Sequence, residues 1–262
     1  MTQPVAIVTG GASGIGAATA RQLSATGWRV AVAGRRDGPL RAVAGEIDGL
    51  AIQADVSVQG DVERLVAEVL AAYGRLDGLV LNAGITSSAA VGDLTLDDWH
   101  SVMSVNLTGP FLLTRASLPH LLESRGAIVG VASIGAFVAG PSSAAYGASK
   151  AALIRLLRSV AVDYGADGVR ANAVNPGWIR SEMADADMDE LAAARSIDRD
   201  AAYELVTRHV PAHRAGTTDE AAAAIVWLLS PAAGYVNGAV VTVDGGTSIV
   251  SAGTLAFSPM TA

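Results

Sequence analysis

The sequence predicts an α/β fold in which helices cover both faces of a doubly wound, seven-stranded and mostly parallel sheet. Short apolar runs alternate with longer helical patterns along most of the chain, as expected of parallel strands joined by helical crossovers. The runs at 30–33 and 78–81 are continuously apolar, which is typical of strands buried on both faces. No Pro/Ser-rich linker or charge block divides the 262 residues, so a single domain over residues 1–262 is expected.

The individual elements follow from these runs. The predicted strands cover residues 5–8, 29–33, 50–53, 78–81, 127–132, 170–174 and 239–243. The predicted helices lie near residues 15–26, 38–46, 60–73, 97–124, 145–165 and 219–229. Segment 179–216 breaks the alternation, because it is long, charged and alanine-rich, with helical patterns near 187–195 and 199–209.

The first strand leads into a glycine-rich turn and then a helix. The turn reads Thr9-Gly10-Gly11-Ala12-Ser13-Gly14-Ile15-Gly16. Gly10 allows a tight turn, Gly14 lets a pyrophosphate approach the backbone, and Gly16 lets the helix pack on the strand. The helix N-terminus offers free N–H groups to the phosphates. The spacing differs from the usual dinucleotide fingerprint, and a turn without a ligand is the alternative. The place of the glycine-rich turn at the first strand–helix junction favours a Rossmann-like domain that binds a nucleotide.

Polar or glycine residues stand at the ends of most predicted strands. They are Gly10, Arg35, Asp55, Asn82, Ser133 and Asn175. Ligands of parallel α/β sheets bind beyond the carboxyl ends of the strands. The sequence therefore gathers its polar candidates along one edge of the sheet.

Tyr146 and Lys150 are spaced to share one face of a helix. An ammonium beside a phenol favours the phenolate and lowers the phenol pKa, which predicts a proton donor and acceptor usable near neutral pH. Ser133 ends an apolar run thirteen residues before Tyr146, where its hydroxyl could reach the same point. The spacing alone is common, and an amphipathic helix carrying a solvated lysine is the alternative.

The ordered set of motifs resembles the short-chain dehydrogenase/reductase family, in particular its NADP-preferring ketone reductases and alcohol dehydrogenases. The matching pieces are Thr9-Gly10-x-x-x-Gly14-Ile15-Gly16, Asn82-Ala83-Gly84, Asn106, Ser133, Tyr146-x-x-x-Lys150 and Pro176-Gly177. They cover the chain from Val5 to about Gly246. The resemblance implies an NAD(P)-dependent oxidoreductase that reversibly reduces a carbonyl to a secondary alcohol by hydride transfer.

The resemblance assigns four catalytic roles. Tyr146 would donate a proton to the carbonyl oxygen or accept one from the alcohol. Lys150 would lower the tyrosine pKa and bind the nicotinamide ribose, and Ser133 would hydrogen-bond the substrate oxygen. Asn106 would hold a water of the proton relay through a local helix distortion. Taken singly, Ser133 as a turn hydroxyl and Asn106 as a helix cap remain alternatives.

Other residues are expected to contact the cofactor by the same resemblance. Asp55, with Val56 beside it, would accept a hydrogen bond from the adenine amino group, unless Asp55 or Ser57 is a helix N-cap. The strand-ending run Asn82-Ala83-Gly84 would let the cofactor lie against the backbone, unless it is only a turn. Pro176-Gly177 would lie along the nicotinamide. Ile179 would bind its carboxamide, and Ser181 would keep the hydroxyl of the commoner threonine.

The end of the second strand predicts the choice of cofactor. An NAD-preferring site usually has an acidic residue there, but this chain has Gly34 followed by Arg35 and Arg36. A guanidinium suits a 2′-phosphate, so NADP(H) is expected, with Arg35 the better candidate, and NAD(H) is the alternative. Two solvated loop arginines are the other interpretation. Ser13 stands where many NADP users of the family carry a second basic residue.

Substrate recognition is expected from apolar side chains and from segment 179–216. Phe137, Trp178 and Met183 are the predicted substrate contacts, since residues near the catalytic hydroxyls are small or apolar. By resemblance, 179–216 would be a helical insertion that covers the substrate, and a plain surface helical pair is the alternative.

Composition narrows the remaining function classes. A formal net charge of −7 argues against nucleic acid as the main partner. No apolar run is long enough to span a membrane, no signal peptide is recognisable, and cysteine is absent, so a cytoplasmic protein is expected. The four histidines show no ligand spacing, and Ser133 is not in a Gly-x-Ser-x-Gly elbow, so neither metal nor hydrolase chemistry is expected.

Two further functions are weighed against the oxidoreductase. A catalytically silent NADP-binding regulator usually lacks the tyrosine or lysine, which this chain keeps. An epimerase or dehydratase of related fold typically needs a larger second domain. The resemblance also implies a homotetramer, or else a dimer, built through helices 97–124 and 145–165. The C-terminal extension 247–262 is apolar near its end and is expected to pack on a neighbouring subunit, unless it is a frayed terminus.

Overall fold

The computed structural model describes residues 3–251 and residue 253. In this part of the chain seven strands form one sheet in the order β3-β2-β1-β4-β5-β6-β7, and every neighbouring pair is parallel. The strands are β1 (Val5–Thr9), β2 (Arg29–Gly34), β3 (Leu50–Gln53), β4 (Gly78–Leu81), β5 (Ala127–Val131), β6 (Arg170–Pro176) and β7 (Val240–Val243). The predicted doubly wound, Rossmann-like sheet is confirmed, and all of its pairings are parallel.

The strand order reverses next to β1. The chain proceeds outward from β1 to β2 and β3, and then returns to place β4 on the other side of β1. Such a switch point opens a crevice at the carboxyl ends of the two central strands, where doubly wound sheets bind their ligands. Thr9 and Asn82 lie at these two strand ends.

Helices pack on both faces of the sheet. They are α1 (Gly14–Ala25), α2 (Asp37–Glu46), α3 (Gln59–Tyr73), α4 (Leu96–Met103), α5 (Gly109–Ser124), α6 (Ala144–Tyr164), α7 (Glu182–Arg195), α8 (Arg199–Thr207) and α9 (Thr218–Leu229). One apolar core contains residues of α3, α5 and α6, and the other contains residues of α1, α2 and α9. The central strands are therefore buried on both sides, which explains their continuous apolar sequence.

One predicted helix is wrong in its continuity. The sequence pattern predicts a single helix over 97–124, but α4 and α5 are separated by a π-helical turn at Ser104–Thr108. A π turn widens the helix by one residue and often marks a functional position. Asn106 is at its centre and is fully buried.

The sheet brings α6 close to β5 because one strand residue has no side chain. A Cβ atom on Gly130 would lie 2.6 Å from Cδ1 of Leu157 on α6. The helix that carries Tyr146 and Lys150 is thus seated directly on the end of β5, where Ser133 follows the strand.

Helices α7 and α8 lie between β6 and α9 and have a small core of their own. Its buried members are Ala184, Met188, Ala192, Ala202, Tyr203 and Ala215. Ser181 caps α7 by accepting from the Ala184 N–H, and Asp198 caps α8 by accepting from Ala201. The base of this pair is held by a bridge between Ile179 and Gly216.

The C-terminal extension is described only at its start. A 3₁₀ turn covers Thr247–Ile249, and the apolar tail Leu255–Met260, for which packing on another subunit is expected, lies outside the described residues. Over residues 3–251 and 253, no helix combines the length and apolar character needed to cross a membrane.

Candidate active site

The glycine turn after β1 adopts the backbone that its glycines allow. Gly10 and Gly14 have φ values of +63° and +55°, in the left-handed region that favours glycine. A Cβ on Gly16 would collide with the carbonyl oxygen of Gly10. Ser13 precedes α1 as its N-cap, but its hydroxyl makes no capping bond to the helix. The first N–H groups of α1 therefore remain available to a phosphate, as the fit of a dinucleotide requires.

The turn is joined to β4 by two side chains. The Thr9 hydroxyl donates to the Val80 carbonyl and accepts from the N–H groups of Asn82 and Ala83. The Asn82 amide donates to the carbonyls of Thr9 and Gly10 at 2.9 and 3.2 Å. Both side chains are engaged inside the fold, so their expected part in cofactor binding is to position the crevice rather than to contact a ligand through these groups.

Ser133 and Tyr146 meet at the end of β5. The Ser133 hydroxyl accepts from the Gly135 N–H at 3.1 Å and lies close enough to the Tyr146 phenol to lower its pKa. A Cβ on Gly147 would approach the Gly135 carbonyl oxygen to 2.9 Å, so the absence of a side chain lets α6 begin against the turn that carries Ser133. Sequence reasoning missed this role of Gly147, although its place inside Tyr146-x-x-x-Lys150 was a signal.

Lys150 is buried one helical turn after Tyr146 on α6. Its side chain is only 4 % exposed, its Nζ atom donates to the Val131 carbonyl at 2.8 Å, and Nζ lies 5.5 Å from the centre of the Tyr146 ring. Burial lowers the pKa of Lys150 from 10.5 to about 8, because an ammonium loses its hydration there.

The predicted lowering of the Tyr146 pKa is wrong. Burial raises the pKa of Tyr146 above its ordinary value, the nearby Ser133 hydroxyl partly opposes this, and the charge of Asp187 on α7 raises the pKa further. The desolvation of the phenolate thus outweighs any favourable effect of the lysine spacing.

Asn106 is held by three hydrogen bonds. Its Oδ1 accepts from the Ile85 N–H at 2.8 Å, and its Nδ2 donates to the Ile85 carbonyl and to the Ser149 hydroxyl. Ser149 in turn donates to the Tyr146 carbonyl at 2.7 Å. Asn106 is not a helix cap. It ties the chain after β4 to the helix that carries Tyr146, and Ser149 is a link that sequence reasoning missed.

Gly84 shows how closely the predicted residues gather. A Cβ on Gly84 would lie 3.3 Å from Nζ of Lys150 and 3.4 Å from Oδ1 of Asn106. The structure therefore brings Asn106, Ser133, Tyr146 and Lys150 together at one edge of the sheet. A side chain at Gly84 would crowd both of these groups.

The two arginines after β2 have different surroundings. Arg36 donates from Nη2 to the Ser13 hydroxyl at 3.0 Å and to Oε2 of Glu182 at 2.7 Å. Arg35 is exposed, and no hydrogen bond or ion pair engages its guanidinium within the described residues. Sequence reasoning missed Glu182, because it lies far from Arg36 in the chain.

Asp55 follows β3 in a tight turn. One carboxylate oxygen, Oδ1, accepts from the N–H and the hydroxyl of Ser57 at 2.9 and 2.6 Å. The N-cap of α3 is Val58, so the alternative in which Asp55 or Ser57 caps this helix is wrong. In the described part of the chain no bond engages Oδ2, and this oxygen fits the expected adenine contact. Val56 is buried beside it.

The chain after β6 runs back towards the glycine turn. Gly177 donates to the Val243 carbonyl, and a Cβ on Gly177 would come within 2.8 Å of Cβ of Asp244. Its missing side chain is therefore needed by the fold itself, next to Pro176. Ile179 is buried, and Cβ of Ser181 lies 3.5 Å from where a Cβ on Gly14 would be. The start of α7 thus lies over the glycine turn.

The predicted substrate residues differ in their exposure. Phe137 and Met183 are exposed, whereas Trp178 is half-buried against the core of α7 and α8. Within the described ranges, no group of three or more His, Asp or Glu side chains is arranged to hold a metal ion.

The chain matches a known protein family over almost its whole length. The sequence model of a family described as "Enoyl-(Acyl carrier protein) reductase" matches residues 10–248. The chain belongs to the short-chain dehydrogenase/reductase family. Its alternation of strands, its glycine turn and its Tyr146-x-x-x-Lys150 pair are thus family features. Membership of this family indicates that the protein is an oxidoreductase of alcohols and carbonyl compounds and that it uses a nicotinamide cofactor.

Individual relatives cover almost the whole chain. Protein MoaE of Klebsiella aerogenes is 40% identical over 97% of this chain and 99% of its own length. The 2-(R)-hydroxypropyl-CoM dehydrogenase of Xanthobacter autotrophicus is 38% identical, over 92% of this chain and 97% of its own. The crystal structure of levodione reductase superposes with a TM-score of 0.91 at 34% identity, covering 96% of this chain and 100% of that one.

Proposed function

We propose that the protein is an NADP(H)-preferring oxidoreductase that interconverts a carbonyl and a secondary alcohol, with Tyr146 as the acid and base. The observation that carries this proposal is the grouping of the Tyr146 phenol with the Ser133 hydroxyl beside it and the buried Lys150 ammonium 5.5 Å from the centre of its ring. These groups lie at the same edge of the sheet as the uncapped N-terminus of α1.

In carbonyl reduction, Tyr146 donates its proton to the carbonyl oxygen as the carbon receives a hydride. When bound, the nicotinamide cofactor supplies that hydride, and its oxidised ring carries a positive charge. The Ser133 hydroxyl donates a hydrogen bond to the same oxygen and stabilises its developing charge. The product alcohol keeps the proton that came from Tyr146. The phenolate then takes a new proton from solvent.

Lys150 stabilises the phenolate that this step leaves behind. With a pKa of about 8, Lys150 is mostly protonated at neutral pH. Its carbonyl partner Val131 fixes the ammonium on the Tyr146 side of α6. In alcohol oxidation the phenolate accepts the alcohol proton, and the raised pKa of Tyr146 makes this form scarce until a positive charge besides that of Lys150 is nearby.

The free guanidinium of Arg35 supports the NADP(H) preference. A 2′-phosphate offers bidentate acceptors to such a group, and the end of β2 carries no acidic residue for a ribose hydroxyl. Oδ2 of Asp55 would hold the adenine amino group. We further propose that residues 179–216 cover the substrate, with Phe137, Trp178 and Met183 as its apolar contacts. The names of two similar proteins, 2-(R)-hydroxypropyl-CoM dehydrogenase and levodione reductase, support small alcohols and ketones as the substrate class.

The test is a panel of ketones and secondary alcohols assayed with NADPH, NADH and their oxidised forms. Reduction with NADPH is expected, and Tyr146→Phe should lower kcat at least about a hundredfold while binding NADP⁺ normally by calorimetry. Full activity of Tyr146→Phe would overturn the mechanism, and a clear preference for NADH would overturn the role of Arg35. Cofactor binding without turnover on any substrate would favour the silent regulator.

A further inference from the structure

Glu182 ties the start of α7 to the cofactor edge of the sheet. Its Oε2 accepts from Nη2 of Arg36 at 2.7 Å, and its Oε1 accepts from Nη1 at 3.5 Å. The same Nη2 atom reaches the Ser13 hydroxyl. Residues separated by 146 positions in the chain therefore meet beside the glycine turn, and the carboxylate occupies the fork of the Arg36 guanidinium.

The position of this contact coincides with the expected site of a cofactor phosphate. Ser13 is the N-cap of α1, and the Ser181 side chain lies next to Gly14. A phosphate drawn to the N-terminus of α1, or to the arginines after β2, would lie within reach of Glu182. Two negative groups would then compete for one guanidinium.

Glu182 also supplies a charge that the second strand lacks. NAD-preferring sites of this fold usually place a carboxylate at the end of β2, and here that strand is followed by Arg35 and Arg36. Glu182 brings a carboxylate to this place from another element. Of the two guanidiniums, Arg36 is neutralised by it and Arg35 is not.

We propose that Glu182 is a specificity-determining residue that occupies Arg36 and thereby weakens NADP(H) binding relative to NAD(H) binding. A 2′-phosphate has to displace the carboxylate from Arg36, whereas a ribose 2′-hydroxyl does not. Both partners are more than half exposed, so the exchange costs little and tunes the preference without abolishing it. This inference rests on the proposed function for its ligand, a nicotinamide dinucleotide.

The test measures dissociation constants by calorimetry for NADP⁺ and NAD⁺ without any substrate. Glu182→Gln should tighten NADP⁺ binding about two- to fivefold and leave NAD⁺ binding unchanged. Glu190→Gln is the matched control, because it removes the same charge from an exposed position on α7 and should change neither constant. In an Arg36→Met background, Glu182→Gln should give no gain for NADP⁺.

The outcomes separate this inference from the proposed NADP(H) preference. An unchanged NADP⁺-to-NAD⁺ ratio in Glu182→Gln, an equal shift in Glu190→Gln, or a full gain without Arg36 would overturn the role of Glu182. If the wild type prefers NAD⁺ but Glu182→Gln still shifts the ratio towards NADP⁺, the role of Glu182 stands and the NADP(H) preference falls. Binding of neither dinucleotide would overturn both.

Discussion

Lys150 and Tyr146 lie one turn apart on α6, with Nζ of the lysine 5.5 Å from the centre of the tyrosine ring. The surroundings of the pair oppose charge on both members, because burial lowers the pKa of the lysine and raises that of the tyrosine. These surroundings favour a neutral phenol as proton donor, and formation of the phenolate base depends on further positive charge near it.

Tyr146 should ionise above its ordinary pKa near 10 in the protein alone. Its phenolate is disfavoured by desolvation and by Asp187. An ultraviolet difference titration of wild type against Tyr146→Phe isolates this one phenol among five tyrosines. Addition of NADP⁺ should lower the midpoint, since it brings a positive charge. A midpoint below pH 9 without cofactor would contradict this expectation.

Asp187→Asn should lower the Tyr146 pKa. The variant removes a negative charge whose repulsion raises that pKa, so the phenolate forms at lower pH. The alcohol oxidation profile should shift towards acid pH. Glu204→Gln, an exposed position on α8, should leave the profile in place. A shift towards alkaline pH in Asp187→Asn would show that the charge acts in some other way.

The buried lysine should make stability rise with pH. Because the pKa of Lys150 is about 8 in the folded protein against 10.5 ordinarily, the unfolded chain binds more protons between these values. The free energy of unfolding should therefore increase from pH 8 to pH 10.5, by about 3 kcal/mol relative to Lys150→Met.

Lys150 is the only lysine in the sequence, so its titration can also be followed directly. An NMR titration of lysine-labelled protein should show one side-chain transition near pH 8. A transition near 10.5, together with a flat stability difference from Lys150→Met, would mean that the ammonium is hydrated in solution.

Much of the fold was predictable because buried parallel strands are apolar and end in polar or glycine residues. The predicted ranges 50–53 and 78–81 coincide with β3 and β4. The π turn around Asn106 was implied only by family resemblance. The residues Ser104–Thr108 show no helix breaker, and the turn depends on the bonds from Asn106 to the chain after β4.

Two features of the site were outside the reach of sequence patterns. The sign of the Tyr146 pKa shift depends on how the phenol is buried, which the spacing to Lys150 does not reveal. The contact of Arg36 with Glu182 depends on the placement of α7 over the first turn, and no local pattern links positions that far apart.

Asn106→Ala should destabilise the protein by about 2–4 kcal/mol, because it leaves the N–H and carbonyl groups of Ile85 without their buried partner. Ser149→Ala removes only one bond to Asn106 and should cost about 1 kcal/mol. Denaturant unfolding measures both. Equal losses in the two variants would show that the bonds to Ile85 contribute nothing.

Two glycine substitutions should change stability in opposite directions. On Gly16 a new Cβ would collide with the Gly10 carbonyl and approach Nδ2 of Asn82 to 2.5 Å. Gly16→Ala should therefore cost about 1–3 kcal/mol and weaken NADP⁺ binding, since it displaces the turn at which we propose that the phosphates bind. Gly45, near the end of α2, has no atom within 4 Å of its Cβ position. Gly45→Ala should stabilise the helix by about 0.5–1 kcal/mol and leave NADP⁺ affinity unchanged. Thermal unfolding measures the stability of both variants, and calorimetry measures their NADP⁺ affinity. A Gly16→Ala variant that is as stable and binds NADP⁺ as tightly as Gly45→Ala would rule out the close packing of α1 on the glycine turn.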